Sequence, residues 1–201
     1  MSKITKAQQR EATTERLIEV AAEIFTRDGY ASAATEEIVH LAGVTRGALY
    51  HHFGSKEGLF AAVLADIQRG VAQRIESVTA AYDDIWDQLV AGSIVFLEVS
   101  IDPQVQRIML IDAPAVLGWS LWRELDAQNS MRSLREALSE LIKKHQLPQL
   151  PLDALTHLLS GAMNEAALWI AQSGNPQVAL SEATQSLKYI LEALRVKESG
   201  N

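Results

Sequence analysis

Apolar residues recur at three- and four-residue spacing along most of the chain, which is the spacing of one face of an α-helix. The first clear case is Leu17, Ala21, Ile24 and Phe25, which predicts a helix over residues 12–28 followed by Gly29 as a left-handed C-cap. The same pattern predicts helices at about 35–41, 45–53, 56–79, 82–100, 118–146, 152–172 and 176–196, with another helix start at 103. No segment shows the alternation of a half-buried strand, so the predicted fold class is all-α.

The composition is that of a folded protein, because 48% of the 201 residues are hydrophobic and 21% are charged. Cysteine is absent, which excludes disulfides, thiolate nucleophiles and cysteine-ligated zinc. No apolar run approaches the ~18 residues of a membrane-spanning helix. Residues 1–10 are polar and basic without a signal-peptide core, and they predict a flexible arm. We therefore expect a cytoplasmic protein without membrane contact.

Charge is distributed unevenly along the chain. The net charge is -7 overall, but only -1 over the first 60 residues and -6 over the remainder. No carboxylate lies between Glu37 and Glu57, whereas Arg46, Lys56 and three histidines do. An acidic chain is not a general nucleic-acid binder, so any nucleic-acid contact must be local to this stretch.

Residues 35–53 have the pattern of a helix-turn-helix. Thr35 and Thr45 are each placed to cap a short helix, and Gly43 separates the two helices. The apolar side chains expected to face inward are Ile38, Leu41, Val44 and Leu49. The second helix of such a motif enters the DNA major groove, and its N-terminal end reaches the base edges.

The outward face of the second helix predicts the division of DNA contacts. Arg46 can donate two hydrogen bonds to guanine, and Gly47 allows close approach of the backbone. Tyr50, His52 and Lys56 are better placed for phosphates, while Thr45 and His51 are candidates for reading sequence. The predicted DNA-contacting residues are Thr35, Thr45, Arg46, Gly47, Tyr50, His51, His52 and Lys56.

Residues 34–53 have the sequence ATEEIVHLAGVTRGALYHHF, and residues 55–60 have the sequence SKEGLF. Together with FTRDGY at 25–30, these segments resemble the DNA-binding head of the TetR family of bacterial repressors. The resemblance covers about residues 11–65. One position departs from the family pattern, because Val39 stands where a small residue, most often alanine, is usual.

The resemblance implies a three-helix head at 11–60, a helical ligand-binding and dimerisation domain at 61–197, and a short tail at 198–201. It also implies a homodimeric repressor that binds a palindromic operator and is released by a small-molecule inducer. In the family the last two long helices pair with those of a second copy. Residues expected at that interface are Leu155, Leu159, Ala162, Ala166, Leu187 and Leu191.

A small hydrophobic ligand is implied among the helices between 80 and 175, although any single aromatic or methionine side chain there is more often part of the core. A histidine such as His157 is likewise more often a core or interface residue than a ligand contact. The candidate pocket residues are Trp86, Met109, Asp112, Trp119, Trp122, His157, Met163 and Asn164. Polar side chains among them would orient the ligand.

Three other interpretations compete with this one. Adjacent His51 and His52 diverge by about 100° on a helix, so a shared metal site is not expected, nor is any cofactor. Asp83, Asp84 and Asp87 form an acidic helix start rather than a catalytic group, and no catalytic fingerprint is present, so an enzyme is not expected. A DNA-binding regulator controlled by a protein partner instead of a ligand remains open; a pocket too small or too polar would favour it.

Overall fold

The computed structural model describes residues 5–196, and every regular element in this range is a helix. The all-α prediction is confirmed for the described residues. The helices are α1 (Lys6–Ser32), α2 (Thr35–Ala42), α3 (Arg46–Phe53), α4 (Lys56–Thr79), α5 (Ile85–Val99), a π-helix (Val105–Asp112), α6 (Ala113–Leu117), α7 (Trp119–Ala127), α8 (Ser130–Lys143), α9 (Leu152–Gln172) and α10 (Pro176–Leu194). None of them combines the length and apolarity needed to cross a membrane.

The chain divides into two compact units. The first contains the described part of Met1–Ile67 together with Pro103–Trp122, and the second contains Gln68–Asp102 and the described part of Arg123–Asn201. The sequence predicted a head ending near residue 60, and it contained no signal that residues 103–122 would pack with that head. The predicted tail at 198–201 lies outside the described residues.

The N-terminal helix is longer than predicted. Thr5 caps α1 by accepting the backbone N–H of Gln8, and the Gln8 side chain accepts the Thr5 backbone N–H in return. This reciprocal capping box satisfies two backbone donors that a helix start leaves without partners. The expected flexible arm at 1–10 is therefore wrong from Lys6 onward, where the chain is helical; residues 1–4 are outside the described range.

Aromatic packing holds the core of the first unit. Phe25 and Phe60 are fully buried, and their ring centroids lie 5.1 Å apart in an edge-on arrangement. Tyr30 adds a second edge-on contact to Phe60 at 4.9 Å. Such pairs stabilise a core by about 0.5–1.5 kcal/mol beyond the burial of area alone. They fix α1 against the start of α4.

The segment 103–122 packs against a sharp bend in α1. Gly29 has φ 75° and ψ 163°, so the chain leaves helical geometry there. The next backbone N–H, that of Tyr30, donates to the Asp112 carboxylate at 2.8 Å, and Arg107 Nε donates to the same oxygen at 3.2 Å. A Cβ atom at Gly29 would overlap the Arg107 guanidinium. The bend therefore favours glycine, because other residues are strained at this φ and Arg107 would have to move.

In the second unit α9 packs against α8 and α10, and α5 packs against all three. Leu138, Leu141 and Ile170 are fully buried. Trp86 lies in the core with its indole N–H donating to Glu192 at 3.0 Å. The predicted continuous helix at 118–146 is wrong, because the chain breaks after Ala127 and restarts at Ser130.

Replacing Gly29 with alanine is expected to lower the free energy of unfolding by about 1–3 kcal/mol, since a side chain is strained at positive φ and must displace Arg107. Urea denaturation followed by circular dichroism measures the change.

The matched control is Gly70→Ala in the exposed interior of α4, where nothing lies within 4 Å of the new Cβ. This change is expected to stabilise the chain by about 0.5–1 kcal/mol. Equal effects at the two glycines would contradict the role of the bend.

Candidate nucleic-acid interface and internal cavity

The turn between α2 and α3 is set by two residues. Gly43 ends α2 in the left-handed conformation at φ 70° and ψ 29°. Thr45 starts α3, and its Oγ1 accepts the Ala48 backbone N–H at 3.2 Å. Ile38 and Leu49 are completely buried behind this turn. The result is the helix-turn-helix arrangement that the sequence predicted.

Two details of α2 differ from the prediction. Ala34, not Thr35, occupies the N-cap position, and Thr35 is the first residue of the helix with its hydroxyl donating to Glu36 at 3.1 Å. Leu41 was expected to face inward but is 49% exposed. The inward face of this short helix is therefore narrower than its apolar pattern suggested.

Arg46 and Tyr50 form the exposed face at the N-terminal end of α3. The side chain of Arg46 is 61% exposed, and its guanidinium lies 5.4 Å from the centre of the Tyr50 ring. Arg46 also donates to Glu36 at 2.8 Å and to the Tyr50 hydroxyl at 3.4 Å. Hydrogen bonds from its own backbone N–H and from Thr35, with the charge of Arg46, lower the pKa of Glu36 and keep it ionised. Sequence reasoning missed Glu36, whose position in the first turn of α2 gave no hint of this contact.

Gly47 and Thr45 occupy the first turn beside Arg46. A side chain at Gly47 would meet nothing closer than Thr45 Oγ1, at 3.8 Å, so the backbone is open to solvent here. Thr45 Oγ1 accepts a hydrogen bond as the cap of α3, so the main role of Thr45 is to position this helix. Its hydroxyl hydrogen is still free to be donated to a base.

His51 and His52 face different surroundings. His51 is exposed, whereas His52 is half-buried with its Nδ1 3.1 Å from the Thr14 hydroxyl of α1. Partial burial, with the charges of Arg10 and His51, lowers the pKa of His52. A shallow cleft lined by Lys6, Gln9, Arg10, Thr13, His51 and His52 joins the start of α1 to α3. Within the described chain no three acidic or histidine side chains gather into a metal site.

Lys56 is folded back onto the first unit. Its Nζ lies 4.6 Å from the centre of the Tyr30 ring and 3.5 Å from the carbonyl oxygen of Ala31. Burial lowers the pKa of its ammonium group. The start of α4 itself is capped by Ser55, whose Oγ accepts the Gly58 N–H at 2.9 Å.

The second unit contains a cavity of about 320 Å³ lined by the end of α4 and by α5, α8 and α9, with one residue from α7. Its floor is mostly apolar, formed by side chains such as Leu89, Phe96, Leu134 and Met163. Gly92 brings α5 close to α4, because a Cβ there would lie 3.2 Å from Thr79 and 3.3 Å from Ile75. Ile75 and Thr79 also line the cavity, so an occupant would contact the end of α4.

A buried polar cluster lies beside the cavity. Asp126 is almost fully buried; its carboxylate receives Arg123 Nη1 at 3.2 Å and lies 3.5 Å from the Ser160 hydroxyl. Burial raises the pKa of Asp126, and Arg123, Asn164 and Ser160 oppose that rise. The Asn164 carbonyl oxygen is buried without a hydrogen-bond partner among the described residues.

The predicted pocket residues are dispersed. Of the eight, only Met163 lines this cavity. Met109, Asp112, Trp119 and Trp122 belong to the first unit, where Trp122 donates its indole N–H to the Met109 carbonyl at 2.9 Å. Trp86 contacts Glu192, Asn164 adjoins Asp126, and His157 is exposed.

The predicted interface residues also divide into two groups. Leu155, Leu159, Leu187 and Leu191 are buried within the chain, which corrects their expected availability to a partner. Ala162 is exposed and Ala166 is half-buried. The large apolar side chains that α9 and α10 do expose are Leu158 (71%), Trp169, Val178, Tyr189 (79%) and Ile190.

Comparison with known proteins assigns both parts of the chain. The family model described as "Bacterial regulatory proteins, tetR family" matches residues 17–63. The model described as "Tetracyclin repressor-like, C-terminal domain" matches residues 86–194, more than half of the chain. The chain belongs to the TetR family. It is therefore a transcriptional regulator with a DNA-binding helix-turn-helix.

Individual TetR-family relatives agree with this assignment. A TetR-family regulator from Pectobacterium atrosepticum is 33% identical, with a TM-score of 0.81 over 96% of this chain and 98% of that one. The Tn10 TetC protein of Escherichia coli is 26% identical over 75% of this chain and 76% of its own length. The regulator SrpR of Pseudomonas putida is 44% identical, but only over 31% of this chain and 29% of its own.

For this TetR-family head, Arg46→Ala is expected to reduce discrimination between operator and random DNA by about 1–3 kcal/mol, because a bidentate contact to guanine would be lost. Competition binding with fluorescent duplexes measures the ratio. Arg135→Ala, which removes an exposed cation of the second unit paired with Asp153, is the control and should leave the ratio unchanged. An unaltered ratio in the Arg46 variant would show that Arg46 does not read bases.

Proposed function

We propose that this chain is a cytoplasmic homodimeric repressor that binds a palindromic operator and releases it when a small molecule occupies the cavity of the second unit. The exposed pair Arg46 and Tyr50, on a helix that is anchored in the core by buried Leu49, is the observation that carries the DNA-binding part. A side chain held outward at the N-terminal end of α3 is placed where recognition helices contact base edges.

Glu36 orients Arg46 before DNA is present. The carboxylate holds one guanidinium nitrogen at 2.8 Å, and the Tyr50 ring supports the guanidinium from below. Holding a long side chain in place lowers the conformational entropy lost on binding. Breaking this exposed ion pair costs little free energy. On the operator, Arg46 can therefore leave Glu36 and form hydrogen bonds with the edge of a guanine.

The basic cleft beside α3 supplies phosphate contacts. Lys6, Arg10 and exposed His51 lie around it, and none of the carboxylates of α1 is among its lining residues. Contacts of this kind strengthen binding to all DNA and set the register of the head. They extend the interface beyond the residues that the family motif suggests.

The exposed apolar side chains of α9 and α10 support dimerisation. Leu158 and Tyr189 are more than two-thirds exposed, and they lie on two helices that pack against each other. Exposed apolar surface of this kind marks an interaction site when it is gathered in one patch. A second copy packed on these helices would bury them and present two heads to successive major grooves about 34 Å apart.

The cavity favours control by a ligand over control by a protein partner. Its volume of about 320 Å³ and mostly apolar lining fall within the range of small-molecule sites. Ile75 and Thr79, near the end of α4, line it, and the same helix starts at Lys56, directly after the recognition helix. A ligand that displaced this end of α4 would change the spacing of the two heads and so favour the unbound state.

Selection of duplexes from random DNA by the purified protein is expected to yield an inverted repeat whose half-sites are one helical turn apart. Sedimentation of the complex should give two chains for each selected duplex. Recovery of a single half-site, or of no preferred sequence, would overturn the operator proposal.

Leu158→Asp is expected to convert the dimer to monomer, because an isolated carboxylate would be buried at the interface. Analytical ultracentrifugation at micromolar concentration measures the change, and operator affinity should fall with it. Leu150→Asp, at an exposed apolar position in the connection before α9, is the matched control. A Leu158 variant that remains dimeric would place the interface elsewhere.

A further inference from the structure

The charged side chains that line the cavity are all of one sign. They are Glu76, Asp126, Glu136 and Glu140, and no lysine, arginine or histidine of the described chain is among the lining residues. The rest of the lining combines apolar side chains with small polar ones. An occupant therefore meets an apolar floor and a negative potential.

Two of these carboxylates are already neutralised. Asp126 is paired with Arg123 at 3.2 Å, and Glu140 is paired with Lys143 at 2.6 Å. Glu76 and Glu136 form no ion pair with any residue of the described range, and both are exposed. The two lining carboxylates without an ion pair in the described range are thus exposed side chains, one on the end of α4 and one on α8.

We propose that the cavity binds an amphipathic organic cation, with an apolar body against the apolar lining and its charged group attracted by Glu76 and Glu136. This inference rests on the proposed ligand-controlled function and names the chemical class of that ligand. An anion of the same shape would bring a charge against two unpaired carboxylates, and a neutral molecule would gain only the apolar contact. Charge complementarity with the cavity lining therefore selects the class.

A pair of probes with the same tail tests the sign of the charge. Decyltrimethylammonium and decyl sulfate, each below its micellar concentration, are titrated into the full chain by calorimetry at low salt. The cation is expected to bind at one site per chain with a Kd about tenfold below that of the anion, and the preference should shrink as salt is added. Equal or tighter binding of decyl sulfate would overturn the inference.

Variants locate the site. Glu76→Gln with Glu136→Gln is expected to weaken cation binding about fivefold while changing anion binding little or improving it. Glu15→Gln with Glu23→Gln alters the net charge equally at exposed positions of α1 and should leave both affinities unchanged. Ala137→Phe fills the cavity from α8 and should abolish binding. Cation binding that survives this change, in a variant with unaltered circular dichroism, would place it outside the cavity and overturn the inference.

Operator binding measured on the same samples separates the two proposals. If the cation binds and releases the operator, both are supported. If the cation fails to bind while the wild-type chain still binds the selected operator as a dimer, the ligand class is wrong and the repressor proposal stands. If no operator is bound in the absence of probe, the proposed function fails, whatever the calorimetry shows.

Discussion

The complete burial of Ile38 and Leu49 is the constraint on which the DNA-binding surface depends. Once these two side chains are inside, the rotation of α3 about its axis is fixed, and Arg46 and Tyr50 are exposed in that orientation. Gly43 makes this geometry attainable, because its left-handed conformation turns the chain sharply enough for α2 and α3 to share one core. Core packing, not the polar face itself, therefore sets the direction of the recognition side chains.

An acidic chain can contact DNA because its charges are segregated. Lys6 and Arg10 line the cleft beside α3 in the first unit, whereas most of the excess negative charge follows residue 60. The Arg46 and Glu36 pair shows how a carboxylate can serve the DNA-binding surface by orienting a cation. In the second unit, two of the excess carboxylates, Glu76 and Glu136, line the cavity instead.

Helices that pack on two sides limit what periodicity can predict. In α9 the leucines at 155 and 159 are buried within the chain, while the adjacent Leu158 is exposed. An apolar residue on either face contributes to the same broad stripe, so the sequence cannot tell core from interface. The sequence likewise cannot tell a ligand-binding tryptophan from one that packs within the chain. Trp119 and Trp122 stack on each other with their ring centroids 4.9 Å apart.

The sequence by itself determined the all-α fold, the positions of most helices and the residues of the recognition helix, because these depend on local periodicity, caps and a compact motif. Only the tertiary structure decided that Asp112 accepts the Tyr30 N–H and that residues 103–122 join the first unit. It also decided which side chains surround the cavity. These features arise where segments that are distant in the chain meet. The free energy of such contacts depends on shape and burial, which a local sequence pattern does not reveal.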